Sequence, residues 1–165
     1  MRKYFMNFMI MTFMTIFLVG CNSTANAIVD YNNEFLVEEY SDALDIFFKT
    51  ADEFDHLLIS GELDDELHEM YLQEQLIPQA KELVQLVQDV NTENEVVKEL
   101  HQLLIVAEEN RLRALELEYE YLQDLDNEEI IEEADKIIKQ AERKMDEFIE
   151  RLEELKDKYD IEDDD

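Results

Sequence analysis

Apolar residues recur every three or four positions along most of the chain, which is the spacing of one face of an α-helix. The last such stripe is the most regular, and it alternates steps of three and four from Ile131 to Tyr159, as the seam of a bundle or coiled coil does. Alternation typical of strands is absent, and the chain contains only two glycines, Gly20 and Gly61, and one proline, Pro78. The pattern therefore predicts an all-α protein.

Four stripes predict four helices. The first helix is expected over about 33–59, ended by Gly61 in a left-handed conformation, with Val37, Tyr40, Leu44, Phe47, Ala51, Phe54 and Leu58 on its apolar face. The second is expected over about 62–90, and its stripe slips near Pro78, which predicts a kink or break within 73–78. The third is expected over about 93–125, opened by a capping box at Thr92 and Glu95. The fourth begins after the interruption at Asp126.

The connections between these helices are only a few residues long. Short connections force neighbouring helices to run in alternating directions, and the apolar stripe of each helix has to be buried against another helix. The sequence therefore predicts an antiparallel up-down four-helix bundle over residues 33–160, followed by a frayed acidic tail over 161–165. A three-helix bundle with the second helix split, or a pairwise dimer, are the alternatives.

A different apolar run, from Tyr4 to Val19, follows Arg2 and Lys3. It is too short to cross a bilayer comfortably and has the positive start and small-residue exit of a secretory signal. The run ends in Leu18-Val19-Gly20-Cys21, which resembles the lipobox of bacterial lipoproteins. The resemblance implies that residues 1–20 are a signal peptide, helical before it is removed, and that the Cys21 thiol then carries a diacylglyceryl group.

Cys21 is the only cysteine in the chain, which fits a lipid acceptor better than an ordinary secreted protein or an uncleaved anchor helix. Two acyl chains would hold the protein stably on the extracytoplasmic face of the cell membrane. The small polar residues that follow predict a flexible tether over 21–32. The expected location is the cell envelope, with the membrane as one partner through Cys21.

Charge narrows the choice of partner. Without Arg2 and Lys3, 12 basic residues face 44 acidic ones, a net charge of −32. This field repels nucleic acid and excludes it as a partner. It favours a cationic protein partner and allows weak binding of divalent cations. Seven of the 12 basic residues belong to the fourth helix, where acids three or four positions away predict ion pairs along the helix.

Candidate chemistry is sparse. Glu53 and His56, and less closely Asp65 and His68, have the spacing of ligands in carboxylate-bridged metal bundles. Both histidines are expected to face solvent, so no metal centre is predicted. His101 is expected at the edge of the third stripe, reaching water. Because no serine or cysteine is placed for nucleophilic catalysis, we predict neither an enzyme nor a cofactor.

Polar residues interrupt the third stripe. Arg111 and Glu118 occupy apolar heptad positions beside Ala107 and Ala114, and with Asn110 they form a candidate polar core layer. We expect Arg111 to pair with a carboxylate from a facing helix and so to fix the register of the helices. A ligand site in the bundle core is the alternative interpretation.

The third helix also carries a weaker resemblance. Its segments Leu100-His101-Gln102-Leu103-Leu104, Arg111, Ala114-Leu115-Glu116-Leu117 and Asp124-Leu125-Asp126 look like the C-terminal half of small acidic helical surface lipoproteins of Gram-positive bacteria without assigned function. The resemblance implies an accessory role at the cell surface and no activity. The hypothesis is a lipoprotein that presents an acidic helical bundle as a non-enzymatic interaction module, and the alternative is a ligand- or metal-binding bundle.

Overall fold

The computed structural model describes residues 23–62 and 64–161. Within these ranges the chain forms four helices and no strand, which confirms the all-α prediction. The proposed signal peptide 1–20, the lipobox residues Leu18, Val19 and Gly20, the acceptor Cys21 and residues 162–165 of the acidic tail lie outside the described residues. Every described helix is too short or too polar to span a membrane.

The first helix, α1, runs from residue 23 to Ser60 and changes its hydrogen bonding on the way. Residues 23–30 are α-helical, Tyr31–Tyr40 form a π-helix, and Ser41–Ser60 are α-helical again. Gly61 follows at φ 73°, and its N–H bonds to the last turn of the helix. The predicted left-handed end is therefore confirmed.

The prediction of a flexible tether over 21–32 is wrong for residues 23–32, which are helical. Ile28 is completely buried and Tyr31 nearly so, at 6% exposure. The free energy gained by burying these two side chains outweighs the low helix propensity of the small polar residues before them.

The second helix, α2, contains a π turn in its middle. It consists of Asp65–Tyr71, the π turn Leu72–Leu76 and Ile77–Asp89, with Pro78 in the first turn of the last segment. The irregularity predicted within 73–78 is present, but the helix is not broken. A π turn holds one residue more than an α turn, so it absorbs the slip of the apolar stripe. Leu72, Leu76 and Ala80 are consequently all buried.

The third helix, α3, spans Glu95–Gln123, and the fourth, α4, spans Glu128–Tyr159. The predicted capping box at Thr92 is wrong, because the side chain of Asn94 accepts the hydrogen bonds from the N–H groups of Val96 and Val97. Thr92 accepts from the N–H of Asn94 instead, one step before the helix.

Helices α3 and α4 share the most extensive contact of any two helices, while α2 packs against both α1 and α3. The stripe predicted for α4 is confirmed, with its smaller residues towards the start and larger ones towards the end: Ala134, Ala141, Phe148, Leu152 and Leu155 are buried. Two of its basic residues pair with acids three positions on, Lys144 with Glu147 at 2.5 Å and Arg151 with Glu154 at 2.8 Å, and Lys156 pairs with Glu153 three positions earlier.

The stripe predicted for α1 is partly wrong. Val37 and Leu58 are 57% and 51% exposed, whereas Tyr31 and Phe35 are buried. Val37 lies in the π-helix, where the wider turn moves it away from the core side. Leu58 lies in the last turn before Gly61, at the end of the helix.

Candidate functional site

Buried polar side chains lie where α1 faces α3, in two groups. The histidine layer consists of Tyr31 from α1, His101 from α3 and the carbonyl of Val87 from α2. The arginine layer consists of Tyr40 from α1 with Glu108 and Arg111 from α3. Four of these side chains, those of Tyr31, Tyr40, His101 and Glu108, are buried, and Arg111 is half-buried.

In the histidine layer, His101 Nε2 lies 2.7 Å from the Val87 carbonyl oxygen, and Nδ1 lies 2.8 Å from the Tyr31 hydroxyl. A carbonyl oxygen can only accept, so Nε2 carries the proton. A neutral imidazole then accepts at Nδ1, and the Tyr31 hydroxyl donates to it. Each polar atom of the ring is thereby satisfied.

Burial lowers the pKa of His101, although the hydrogen bond to Val87 opposes this in part. Burial also raises the pKa of Tyr31. The two groups are therefore both neutral near pH 7. The prediction that His101 reaches water is wrong, since the side chain is only 5% exposed and Tyr31, from the segment predicted to be a tether, covers it.

In the arginine layer, the Glu108 side chain is 1% exposed and takes part in three hydrogen bonds. Arg111 Nη1 lies 2.7 Å and 2.6 Å from its two oxygens, and the Tyr40 hydroxyl donates to Oε1. Burial and the negative charge of Glu108 raise the pKa of Tyr40, so the hydroxyl keeps its proton and donates. The buried carboxylate is thus compensated by one cation and one hydroxyl.

Two aromatic rings complete the surroundings of Arg111. Its guanidinium carbon lies 5.5 Å from the ring centre of Phe47 and 5.4 Å from that of Phe48, within the range of cation–π attraction. Arg111 therefore contacts α1 through aromatic rings and α3 through Glu108. The prediction that Arg111 pairs with a carboxylate from a facing helix is wrong, because Glu108 belongs to the same helix and lies three residues earlier.

The spacing of the two tyrosines explains the π-helix. His101 and Glu108 are seven residues apart, which is two turns of an α-helix. Tyr31 and Tyr40 are nine residues apart, and the wider π turns carry those nine residues through two turns as well. Both hydroxyls consequently face α3. Tyr31, Phe35 and Tyr40 share this face at steps of four and five, a signal in the sequence that an α-helical period does not detect.

Glu118 is not part of the arginine layer. Its Oε1 lies 3.0 Å from Nε2 of His68 on α2, whose side chain is 18% exposed. The prediction that His68 faces solvent is therefore wrong, whereas the same prediction is confirmed for His56, which is exposed. Asn110 is half-buried beside Arg111 in sequence and makes no side-chain hydrogen bond with any described residue. The predicted layer of three residues is thus divided between two places.

The layers are arranged to hold helices together. Each buried donor in them meets an acceptor, and Glu108 and Arg111 neutralise each other. Among the described residues, no three histidine, cysteine, aspartate or glutamate side chains are grouped as ligands for a metal ion.

The fold and these layers define a class: an acidic four-helix all-α protein with internal polar layers. Comparison with models of protein families, with curated protein sequences and with solved structures finds no match to this chain.

Proposed function

We propose that the chain is a cell-envelope lipoprotein that presents an acidic helical domain as a non-enzymatic protein-interaction or accessory module. Residues 1–20 are removed, and a diacylglyceryl group on Cys21 anchors the domain to the extracytoplasmic face of the membrane. The observation that carries this proposal is the run Leu18-Val19-Gly20-Cys21 at the end of a short apolar segment that follows Arg2 and Lys3.

The interior of the domain supports an interaction role over a catalytic one. Glu108, Tyr40 and His101 satisfy one another or their neighbours inside the core and are 5% exposed or less. The exterior is strongly charged, so recognition through a surface is the interaction that this domain can offer. Its net charge favours a cationic partner.

We further propose that the four helices form an antiparallel up-down bundle. Along the contact between α1 and α3 the residue numbers of both helices increase in the same direction, as in parallel helices. The contacting pairs are Thr24 with Asn94, Tyr31 with His101 and Tyr40 with Glu108. Along the contact between α1 and α2 the residue numbers increase in opposite directions, as in antiparallel helices; Thr50 contacts Gln79 and Phe54 contacts His68. Since α1 is helical from residue 23, the bundle would lie close to the lipid on Cys21.

The alternative function, a bundle that binds a small ligand or metal, has less support. The side chain that would mark such a site, Arg111, is engaged by Glu108 at 2.6 Å and by two aromatic rings. A ligand would have to replace these contacts.

The anchor is tested by expressing the full chain and its Cys21→Ser variant in a bacterial host fed radiolabelled palmitate. The wild-type chain is expected to take up the label and to fractionate with the membrane. The variant, which differs by one atom, is expected to lose both properties. An unlabelled wild-type chain would contradict the anchor. Crosslinking the anchored protein in cells then identifies its partner.

A further inference from the structure

A surface groove of about 500 Å³ lies between the start of α1 and the end of α2, and we name it the α1–α2 groove. Its apolar lining, which we call the floor, includes Phe35 from α1, Leu86 from α2 and Val90, the residue that follows α2. Leu86 and Val90 are half-buried, so part of their apolar surface remains in contact with water. The groove thus follows the contact between two helices and has an apolar base.

The rim of the α1–α2 groove is acidic on both sides. Its carboxylates are Asp30, Glu34, Glu39, Asp89 and Glu93, and no basic side chain lines the groove. None of the five forms an ion pair with another described residue, and Asp89 alone accepts a side-chain hydrogen bond, from Gln85. Their mutual repulsion is therefore left uncompensated.

Two acids of α3, in contrast, have basic partners. Glu116 lies 3.4 Å from Lys81, and Glu120 lies 2.9 Å from Arg113. From residue 23 to residue 90 the only basic residues are Lys49 and Lys81, and neither lines the groove. The described residues thus form no ion pair with the rim, which leaves its carboxylates open to a cationic partner.

We propose that the α1–α2 groove binds a basic amphipathic helix of a partner protein. A helix laid along the contact of two helices buries its apolar face on the floor, and its lysine or arginine residues reach the carboxylates on both rims. The carboxylates of the groove are too far apart to bind a single metal ion, since no three of them are grouped as ligands. This inference rests on the proposed function only in taking the partner to be a protein, and it does not require the lipid.

The test uses the full-length chain in a mild non-ionic detergent and three synthetic peptides. The probe is an amphipathic leucine–lysine peptide of about five helical turns. The second peptide has the same composition in scrambled order, and the third has glutamate in place of each lysine. Titration calorimetry at low and at physiological salt measures the affinity of each.

Two matched variants of the chain separate a local effect from net charge. The groove variant combines Glu34→Gln, Glu39→Gln and Glu93→Gln, and the control variant combines Glu128→Gln, Glu133→Gln and Glu142→Gln on α4. All six side chains are exposed, and each variant removes three charges. Because exposed residues are changed, both variants are expected to fold.

The proposal expects the amphipathic probe to bind more tightly than the scrambled peptide and the glutamate peptide not to bind. The groove variant should bind the probe with an affinity about tenfold lower than that of the wild type, as expected for the loss of three exposed ion pairs. The control variant should lose less than about twofold in affinity. Equal weakening in both variants, or equal binding of the scrambled peptide, would overturn the proposal. Self-association that is lost only in the groove variant would also overturn it, in favour of a second copy of this chain.

The outcome is separable from that of the anchor experiment. Probe binding that depends on the groove residues would stand even if Cys21 carried no lipid. A lipidated chain that fails to bind the probe would retain the anchor and lose the groove.

Discussion

The polar side chains of the two layers find their hydrogen-bond and ion-pair partners inside the protein. Glu108 is a buried carboxylate whose charge is compensated by Arg111 alone, and Tyr40 supplies the remaining hydrogen bond. Removing one member of such a pair leaves the other buried and uncompensated, which costs more than the pair itself contributes.

The change Arg111→Ala is therefore expected to lower the free energy of unfolding by about 3 kcal/mol. The control is Arg113→Ala on the same helix, which removes exposed ion pairs with Glu116 and Glu120 and should cost less than about 1 kcal/mol. Urea denaturation measures both. Equal losses in the two variants would show that the charge of Glu108 does not depend on Arg111.

His101 gives the stability a dependence on pH. Its folded pKa is lowered by burial, so between that pKa and its usual value near 6.5 the unfolded chain binds a proton that the folded chain does not. The stabilisation is present above pH 6.5 and is lost as the pH falls, with a slope of at most about 1.4 kcal/mol per pH unit for one proton.

The charge of the 44 acidic residues also affects stability, so the measurement is a difference between variants that share these residues. From pH 7.5 to 5.5, wild-type protein should lose more unfolding free energy than His101→Gln. The exposed His56 provides the matched control, and His56→Gln should follow the wild type. If all three curves were parallel, the buried neutral state of His101 would be refuted.

Of the side chains that form the layers, only Arg111 is predicted from the sequence to be a polar group in the core. Arg111 is visible because a charge at an apolar heptad position is unusual, but its partners are not. Glu108 looks like any other acid in a chain with 44 of them. Tyr31 lies in a stretch whose small polar residues predict a loop, so the burial of His101 could not be inferred.

At the level of elements, two π-helical segments align the buried faces of α1 and α2 with the helices that they contact. In α1 the segment Tyr31–Tyr40 keeps both hydroxyls on the face towards α3, and in α2 the turn Leu72–Leu76 shifts the apolar stripe. The slip of the apolar stripe near Pro78 predicts an irregularity at the second segment. The first segment is not predicted, because a stripe at steps of four and five does not match the α-helical period.

Deleting Glu38 and Glu39 tests this account of α1. The deletion reduces the spacing of Tyr31 and Tyr40 from nine to seven residues, which an ordinary α-helix carries through two turns. The variant should fold cooperatively and keep both hydroxyl contacts. The control deletes Asp52 and Glu53 from the α-helical part, which turns one half of the stripe away from the core and should be strongly destabilising.

Circular dichroism and urea denaturation compare the two deletions. The account requires the first to lie much closer to wild-type stability than the second. Similar damage from both would mean that the π-helix does not set the position of the tyrosines.

At the level of the whole molecule, net charge opposes folding while the apolar stripes drive it. The formal net charge is −30, and α1 and α2 contain only Lys49 and Lys81 to offset their acids. Composition alone predicts this repulsion, whereas the packing of these two acid-rich helices against each other follows from the structure. The four-helix all-α fold was accessible from periodicity, since the spacing of apolar residues is local information.

Salt should therefore stabilise the protein. Raising the salt concentration from 0.02 M to 0.5 M shortens the screening length well below that at 0.1 M, about 10 Å, and is expected to raise the urea midpoint. The variant that lacks the charges of Glu34, Glu39 and Glu93 should gain less. A midpoint that stays constant or falls with salt would contradict uncompensated repulsion between α1 and α2.

The mass of the intact protein isolated from bacterial membranes tests the proposed role most directly. The account predicts a chain that begins at Cys21 and is heavier than its residues by a thioether-linked diacylglyceryl group. A chain that retains residues 1–20 with an unmodified Cys21 thiol would contradict it.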